Sequence, residues 1–296
     1  MSINASKNCN SYEIQAYAKI NLMLEIISDR EDGYHEIKSI LQTVNLADRV
    51  RIIHDGLGRV EVSGPYKFGV PTDEKNLAYQ ALLKLADLHN FNPTEFSIEI
   101  EKNIPPAAGL GGGSSDAVAV LKQLRKYFPK ISEFDIAKIA ALIGSDEAFF
   151  LNGGTALVSG RGELVEQLPS LPKHDVILFV PELHVNKKTQ RMFELFKGQT
   201  FDSGQRSLEF ARSVPRNVDI QEVFNSFEQV AFTFFEGLRD LKVNIEKRIK
   251  APVHLTGAGP TLFWIGMDVN SLQSNFQDHN LPCQIIQTST FSEPVL

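Results

Sequence analysis

Residues 104–116 constrain the fold of this chain more than any other stretch, because four glycines fall within five residues there. An alternating, strand-like segment at residues 95–101 precedes the stretch, and an amphipathic helical pattern follows it. Glycine permits backbone angles and close approaches that a Cβ would block. Ser114, Ser115 and Asp116 come next, and all three favour the beginning of a helix. We therefore predict a strand, a glycine loop and a helix in succession.

A glycine loop that opens a helix directs unpaired N–H groups and the positive end of the helix dipole at one point. Such a point binds anions, most often phosphate. Two common glycine loops do not fit. No Gly-Lys-Ser/Thr follows, as a Walker loop requires, and Ser114 occupies the third glycine position of the dinucleotide fingerprint. A tight strand-to-helix turn without a ligand is the alternative interpretation.

The composition limits the possible partners. The 296 residues have room for one large domain or two joined ones, and the formal charge of −6 argues against a nucleic-acid partner. Cys9 and Cys283 are too few for a disulfide framework, and the apolar runs are too short to span a bilayer. Residues 1–10 lack an apolar signal core, and we expect them to form a frayed tail. The sequence thus predicts a cytoplasmic protein with no membrane partner.

Residues 13–26 alternate between apolar and polar side chains, which predicts a long, half-buried strand. Lys19 and Asn21 then lie on the same face, roughly 7 Å apart at the rise of two residues. A solvated strand face is the simplest interpretation of this pair.

Three motifs together resemble those of the GHMP kinases, which phosphorylate small-molecule alcohols. They are Ala18-Lys19-Ile20-Asn21, the loop Pro105-x-x-x-Gly109-Leu110-Gly111-Gly-Gly-Ser-Ser-Asp, and Thr256-Gly257-Ala258-Gly259-Pro260. They occur in the family's order, so the resemblance spans nearly the whole chain. It implies an α+β fold of two domains with the active site in the inter-domain cleft. We expect the domains to cover residues 1–168 and 169–296.

The resemblance also implies that ATP is the phosphoryl donor. The residues expected to hold its phosphates belong to the loop and the third motif: Pro105, Gly109, Leu110, Gly111, Gly112, Gly113, Ser114, Ser115 and Gly257. In the family, an asparagine before a helix and a lysine before the loop lie near the adenine, which here are Asn76 and Lys102. Asn76 is also a plausible helix N-cap. Mg²⁺ is expected with ATP and held through the phosphates, since the sequence names no protein ligand for a metal.

Asp146 is the candidate general base. It lies between a helix that stops at Gly144 and an apolar, strand-like segment, where partial burial tunes the proton affinity of a carboxylate. An ordinary turn aspartate is the alternative. Gly-Ser-Asp146 resembles the family's Gly-Ala-Asp, whose aspartate is the base, and the lysine corresponding to Lys19 faces the transferred phosphoryl group and acceptor. The family usually continues with Val-Pro, so Glu147 in this chain is a rival carboxylate.

Asp32-Gly33-Tyr34-His35 is similar to the segment with which one GHMP kinase holds a cytosine. Tyr34 offers a stacking face and His35 a donor and an acceptor, while Phe193 stands where that kinase places an aromatic ring. A hairpin turn and a core phenylalanine are the plain alternatives. We expect a small alcohol linked to cytidine diphosphate as acceptor and Asn21 as a further contact to it. Another GHMP kinase, acting on mevalonate, homoserine or a sugar, and a non-catalytic nucleotide sensor stay open, as does the choice between monomer and homodimer.

The remaining patterns predict ordinary elements. Helices are predicted at residues 76–89, 133–143, 189–196, 218–250 and 271–278, and a variable connection at 200–217. Strands are predicted at residues 36–46, 48–53, 59–63, 155–158, 163–167, 175–180 and 282–288, with a strand, a glycine turn and a strand over 254–264.

Overall fold

The structure, a computed structural model, describes residues 13–183, 188–196, 199–269, 272 and 281–291. Its class is α+β, as predicted. The strands are β1 Glu13–Asp29, β2 His35–His54, β3 Val60–Ser63, β4 Phe96–Glu101, β5 Thr155–Gly160, β6 Leu164–Gln167, β7 Asp175–Pro181, β8 Phe224–Asn225, β9 His254–Leu255, β10 Leu262–Gly266 and β11 Cys283–Ser289. The helices are α1 Leu77–His89, α2 Gly112–Tyr127, α3 Glu133–Ile143, α4 Glu147–Phe150, α5 Lys188–Phe196, α6 Gln205–Ser213, α7 Glu228–Phe234 and α8 Leu238–Ile249. The predicted tail at 1–10 and, apart from residue 272, the predicted helix at 271–278 lie outside the described residues.

The first sheet has seven strands and is organised by β2. This strand pairs with β1 along most of its length, with β5 through Ile37–Gln42, and with β4 through Arg49–His54. The two strands predicted at 36–46 and 48–53 are therefore one strand of 20 residues. No glycine or proline interrupts the run, so the strand continues from one partner to the other, with a register shift against β1 at Val44–Ala47.

The prediction that β1 is half-buried was wrong, because both of its faces are buried from Ala18 to Ile26. The apolar side chains pack into the core, as expected. The polar face is covered as well: Lys19 and Asn21 are only 3% and 4% exposed. The backbone N–H of Lys19 donates to Leu110 O at 2.9 Å and its ammonium donates to Gly109 O at 2.9 Å, so the glycine loop runs along β1 and covers this face. The solvated face suggested by the alternation does not exist here.

The second sheet has four strands in the order β11-β7-β10-β9, with antiparallel pairing throughout. Helices α7 and α8 bury their apolar sides against it. The two sheets share a core, in which Ile20 and Leu22 of β1 pack with Phe263 and Ile265 of β10. Strand β8 also pairs with β1, in parallel. None of the helices in the described ranges is long and apolar enough to cross a membrane.

Two predictions for residues 200–250 were wrong. The connection predicted at 200–217 contains α6, and the helix predicted at 218–250 is divided into a short 3-10 turn, β8, α7 and α8. Gly237, with φ +78°, separates α7 from α8. Helix α6 has no side-chain cap of its own. Its N-terminal N–H groups are bound instead by Glu25 of β1, far away in the sequence.

Glu25 is 1% exposed and accepts from Gly204 N at 3.1 Å and from Ser207 N at 2.8 Å. Hydrogen bonds to an ionised acceptor are stronger than neutral ones, and the dipole at the helix start favours the negative charge. This buried carboxylate therefore joins β1 to α6.

We predict that Glu25→Ala lowers the free energy of unfolding by about 3 kcal/mol, because it leaves two buried N–H groups unpaired. Urea denaturation followed by circular dichroism measures the change. Glu209→Ala is the matched control, since Glu209 lies on the same helix and contacts only Gln205 among the hydrogen bonds recorded for its side chain. It should change stability by less than about 0.5 kcal/mol. Equal effects of the two substitutions would contradict this role of Glu25.

Candidate active site

A cleft of about 1080 Å³ is lined by residues of both glycine loops, of strands β1 and β2 in the first sheet, and of helix α5. All the predicted site residues line it except Ser115. Ser115 is turned to the other side of α2, where it borders a small cavity with Lys122 and Phe150. Ser115 was predicted to belong to the phosphate-binding loop, and its position outside the cleft lining does not support that prediction for its side chain. The other predicted residues are brought together as expected.

The glycine loop ends at Gly111, which has φ +73° and is the N-cap of α2. Ser114, Ser115 and Asp116 were predicted to open the helix, but α2 begins two residues before Ser114 because the left-handed Gly111 ends the loop. Ser115 N donates to Gly111 O at 3.0 Å, as the first turn of a helix requires. The preceding N–H groups of α2 have no partner within the helix. Free N–H groups at the start of a helix are the feature on which the predicted anion site depends.

The two glycine loops touch through their backbones. A Cβ on Gly109, which has φ +85°, would lie 2.4 Å from Thr256 O. A Cβ on Gly257 would lie 3.0 Å from Gly109 O and 3.1 Å from Lys19 Nζ. Side chains at either position would force the loops apart. The contact explains why glycine occupies both motifs.

Lys19 lies beneath this contact. Its ammonium donates to Asn21 Oδ1 at 2.8 Å and to Gly109 O at 2.9 Å, which confirms that Lys19 and Asn21 share a face. Burial lowers the pKa of Lys19, while the nearby charge of Asp146 acts in the opposite direction. Asn21 is fixed in turn by Ser39 at 2.9 Å and by Thr256. The ammonium is therefore held in one position at the mouth of the loop.

Asp146 faces the same point. Its Oδ2 is 3.9 Å from Lys19 Nζ, and its side chain is 43% exposed. It occupies the N-cap position of α4 without making a side-chain cap bond. The segment after it was predicted to be a strand, but Glu147–Phe150 forms one helical turn because Phe149 and Phe150 are buried against α2 and β5.

Glu147, the rival carboxylate, lies outside the cleft lining and is 1% exposed. Burial raises its pKa to about 7, the charge of Asp146 adds to the rise, and a hydrogen bond with Ser114 opposes it. Its Oε2 has no hydrogen-bond partner among the described residues. The structure thus separates the two carboxylates: Asp146 is open to the cleft, and Glu147 is buried under the start of α2.

The polar ends of Asn76 and Lys102 are already bound. Asn76 caps α1 by accepting from Ala78 N at 2.9 Å, and its amide donates to Pro71 O at 2.7 Å. Lys102 Nζ donates to Asp116 Oδ2 at 2.7 Å and to Asp48. Burial acts against the charge of Lys102, yet the two carboxylates raise its pKa. Both residues line the cleft, while their polar atoms hold α1 and α2 in place.

At the other end of the cleft, His35 stacks on Phe193 with ring centroids 4.7 Å apart. The Nε2 atom of His35 is 3.0 Å from Asp29 Oδ1. Tyr34 is 49% exposed, and the guanidinium of Arg161 lies 5.0 Å from its ring centroid. Phe193 also contacts Phe227, so it belongs both to the core and to the cleft. All three of these predicted residues line the cleft, and His35 and Phe193 are in direct ring contact.

Sequence reasoning missed three cations that line the cleft: the exposed Lys75, just before α1, and two that are more buried, Arg161 and Lys188. Arg161 lies in the turn between β5 and β6. Lys188, one residue before the predicted helix at 189–196, donates to Ala107 O at 2.7 Å and to Gly259 O, so it touches both glycine loops. No motif marks any of these residues. Among the described residues, no group of three or more His, Cys, Asp or Glu side chains is arranged to hold a metal.

Similarity to known proteins establishes the family to which the chain belongs. The profile described as "GHMP kinases N terminal domain" matches residues 76–154, which contain the loop and Asp146. A 4-diphosphocytidyl-2-C-methyl-D-erythritol kinase of Bacillus cereus (strain AH187) is 36% identical over 84% of this chain and 86% of the relative. The chain belongs to this kinase family, within the GHMP kinases. A Bacillus anthracis relative of the same name has the same identity and coverage.

Solved structures agree with the GHMP kinase fold. A crystal structure of a 4-(cytidine 5'-diphospho)-2C-methyl-D-erythritol kinase has a TM-score of 0.74 at 28% identity, covering 94% of this chain and 99% of the other. The L. major mevalonate kinase in complex with R-mevalonate has a TM-score of 0.71 at 13% identity, covering 99% of each chain. At that identity, the second likeness supports only the fold. GHMP kinases are ATP-dependent phosphotransferases, so the chain is an enzyme of that class.

We predict that Glu147 makes the stability of the protein depend on pH between about 4.5 and 7, the ordinary and the raised pKa of its carboxyl. The folded state binds more protons than the unfolded state in this window, so the free energy of unfolding falls as pH rises, by up to about 3 kcal/mol. Glu147→Gln should remove this component. Urea titrations at several pH values measure it, with Glu166→Gln, an exposed carboxyl at the end of β6, as the control. Parallel pH profiles for wild type and Glu147→Gln would contradict the prediction.

Proposed function

We propose that this enzyme transfers the γ-phosphoryl group of ATP to a hydroxyl of 4-diphosphocytidyl-2-C-methyl-D-erythritol, in the non-mevalonate route to isoprenoids. The observation that carries the proposal is the pairing, within one cleft, of the Lys19–Asp146 cluster with the His35–Phe193 stack. The Lys19–Asp146 pair is suited to phosphoryl transfer to an alcohol, and the His35–Phe193 stack is suited to binding a planar nucleobase. The printed names of the Bacillus relatives support the same substrate.

The start of α2 holds the triphosphate in this proposal. Its unpaired N–H groups and the helix dipole favour the β- and γ-phosphates, while Gly109 and Gly257 allow the second loop to pack directly against the first beside this point. Mg²⁺, held chiefly by the phosphates, supplies additional positive charge during the transfer. Asn76 and Lys102 shape the adenine end through α1 and α2 rather than through free polar atoms.

Asp146 is the general base. Its exposed carboxylate accepts the proton of the acceptor hydroxyl as that oxygen bonds to the γ-phosphorus. The bond from phosphorus to the β–γ bridging oxygen breaks, and ADP leaves. Lys19 orients Asp146 and offsets the charge that develops on the phosphoryl oxygens, and Asn21 fixes Lys19. Most of the catalysis is thus positioning and electrostatic stabilisation.

The aromatic end binds the cytosine. Stacked rings of His35 and Phe193 and the exposed ring of Tyr34 form the walls that a pyrimidine needs. The cleft volume of about 1080 Å³ exceeds the upper range for one drug-sized ligand, which suits two nucleotides bound at once. We also propose a domain division at 168/169, because the first sheet's last hairpin ends at Gln167 and the second sheet begins at Asp175.

We predict that Asp146→Asn and Lys19→Met each lower kcat by more than about a hundredfold while the protein stays folded, because each removes a group that acts in the transition state. A coupled assay of ADP release with ATP and the cytidine-linked alcohol measures the rates. Asp87→Asn, an exposed carboxylate on α1, is the control and should retain wild-type kcat. Full activity of Asp146→Asn would remove Asp146 from the mechanism.

The substrate is tested in the same assay with mevalonate and homoserine as competing alcohols, since kinases for both share the fold. Preference for the cytidine-linked alcohol by a large kcat/KM ratio supports the proposal. Phe193→Ala should then raise KM for that alcohol far more than KM for ATP, because it removes one stacking wall. Faster turnover of mevalonate or homoserine would overturn the substrate, and tight ATP binding without turnover of any alcohol would overturn the enzyme.

A further inference from the structure

Lys188 is a buried cation that the proposed mechanism does not use. It is the first described residue of α5 and is 8% exposed, in a wall of the cleft. Its ammonium donates to Ala107 O of the first glycine loop and to Gly259 O of the other. Ala107 has φ +53°, an unfavourable conformation for a residue with a side chain. One side chain therefore clamps two loops that come from distant parts of the sequence.

The same helix carries Phe193, five residues further on, which stacks on His35. Helix α5 thus connects the aromatic end of the cleft with the two glycine loops. A helix that is tied at its first residue to the phosphate-binding loops holds its aromatic side chain at a fixed distance from them. This distance matters if one ligand must reach from the aromatic walls to the phosphoryl group.

The charges around Lys188 do not balance. It interacts electrostatically with Lys19 and Asp146, so two ammonium groups share one carboxylate at this point of the cleft. Lys102 is different, because Asp48 and Asp116 both bind it. An enclosed excess of positive charge is costly unless an anion compensates it. A triphosphate at the start of α2 would provide that anion.

We propose that Lys188 is a positioning residue for phosphoryl transfer, which ties α5 to both glycine loops and whose charge is balanced by the bound triphosphate. The inference rests on the proposed kinase function and names a residue that the three sequence motifs do not contain. It accounts for a buried lysine whose recorded hydrogen bonds go to two backbone carbonyls.

The protonation of Lys188 gives the inference a specific signature. Burial lowers its pKa to about 7, the charge of Lys19 on β1 adds to the effect, and Asp146 before α4 opposes it. The facing atoms of the two loops are carbonyl oxygens, which do not titrate. A triphosphate stabilises the charged form, so its binding takes up a proton near pH 7. ATP affinity should then be greatest below pH 7 and decrease above it, by up to about tenfold per pH unit.

The first experiment replaces the side chain. Lys188→Met should lower kcat by at least about tenfold and raise KM for ATP, since it removes a charged donor from two carbonyls. Arg191→Met is the matched control: Arg191 is an exposed cation on the same helix, over Phe234 and away from the cleft lining. It should keep wild-type kinetics. A folded Lys188→Met with wild-type kcat and KM would overturn the inference while leaving the kinase function intact.

The second variant separates the clamp from the charge. Lys188→Gln keeps two N–H donors without a positive charge, so we expect it to fold if Lys188→Met does not. Its kcat should lie between those of Lys188→Met and wild type. In wild type we expect KM for ATP to rise above pH 7, and in Lys188→Gln we expect no such rise. An unchanged pH dependence in Lys188→Gln would overturn the role of the charge.

The third experiment measures protons directly. Calorimetric titration with Mg²⁺ and a non-hydrolysable ATP analogue, in buffers of different ionisation enthalpy, gives the number of protons taken up. Glu147→Gln is the background, because Glu147 also has a pKa of about 7. For the Glu147→Gln variant we expect the uptake of about half a proton per bound nucleotide at pH 7. The double variant with Lys188→Gln should take up none. Equal uptake with and without Lys188 would assign the proton to another group and overturn the inference. Failure of wild type to phosphorylate any alcohol would instead overturn the proposed function.

Discussion

The site depends on the direct contact of two backbones, at Gly109 in the first loop and residues 256–257 in the second. A Cβ on Gly109 would lie only 2.4 Å from Thr256 O, so the loops approach as closely as the main chain permits. The two loops meet over β1, where Lys19 contacts the first loop at Gly109 and Asn21 contacts the second at Thr256. The first loop follows β4 of one sheet, and the second loop joins β9 to β10 of the other. Their contact therefore adds to the shared core in holding the two sheets together, and it closes one side of the cleft.

Local patterns predicted local structure well. Alternation placed Lys19 and Asn21 on one face, and the glycine run located the start of α2 to within a few residues. The failures arise where distant residues decide the outcome. Alternation suggested a solvated face for β1, but the loops that cover it come from residues far along the chain. Helix α6 escaped prediction because its N-terminus is bound by Glu25, more than a hundred residues earlier.

The candidate site shows the same division. Motifs identified residues whose side-chain chemistry is distinctive, such as Asp146 and His35. They could not reveal Lys188, since its recorded hydrogen bonds go to backbone carbonyls that carry no sequence signature. Nor could the sequence distinguish Asp146 from Glu147, two adjacent carboxylates. Their difference is burial, with one side chain 43% exposed and the other residue 1% exposed, and burial depends on how α4 packs under α2.

In the proposed mechanism, the distribution of charge around the loop favours one position for the triphosphate. On the side of β4, Asp48 and Asp116 neutralise the ammonium of Lys102. Lys102 therefore offers little attraction to a bound anion. On the side of β1 and α5, Lys19 and Lys188 share Asp146 alone. Although the chain has a net charge of −6, two ammonium groups and one carboxylate meet on this side of the cleft, near the start of α2. In the proposed mechanism, this charge and the dipole of α2 act together on the terminal phosphate and favour a position next to Asp146.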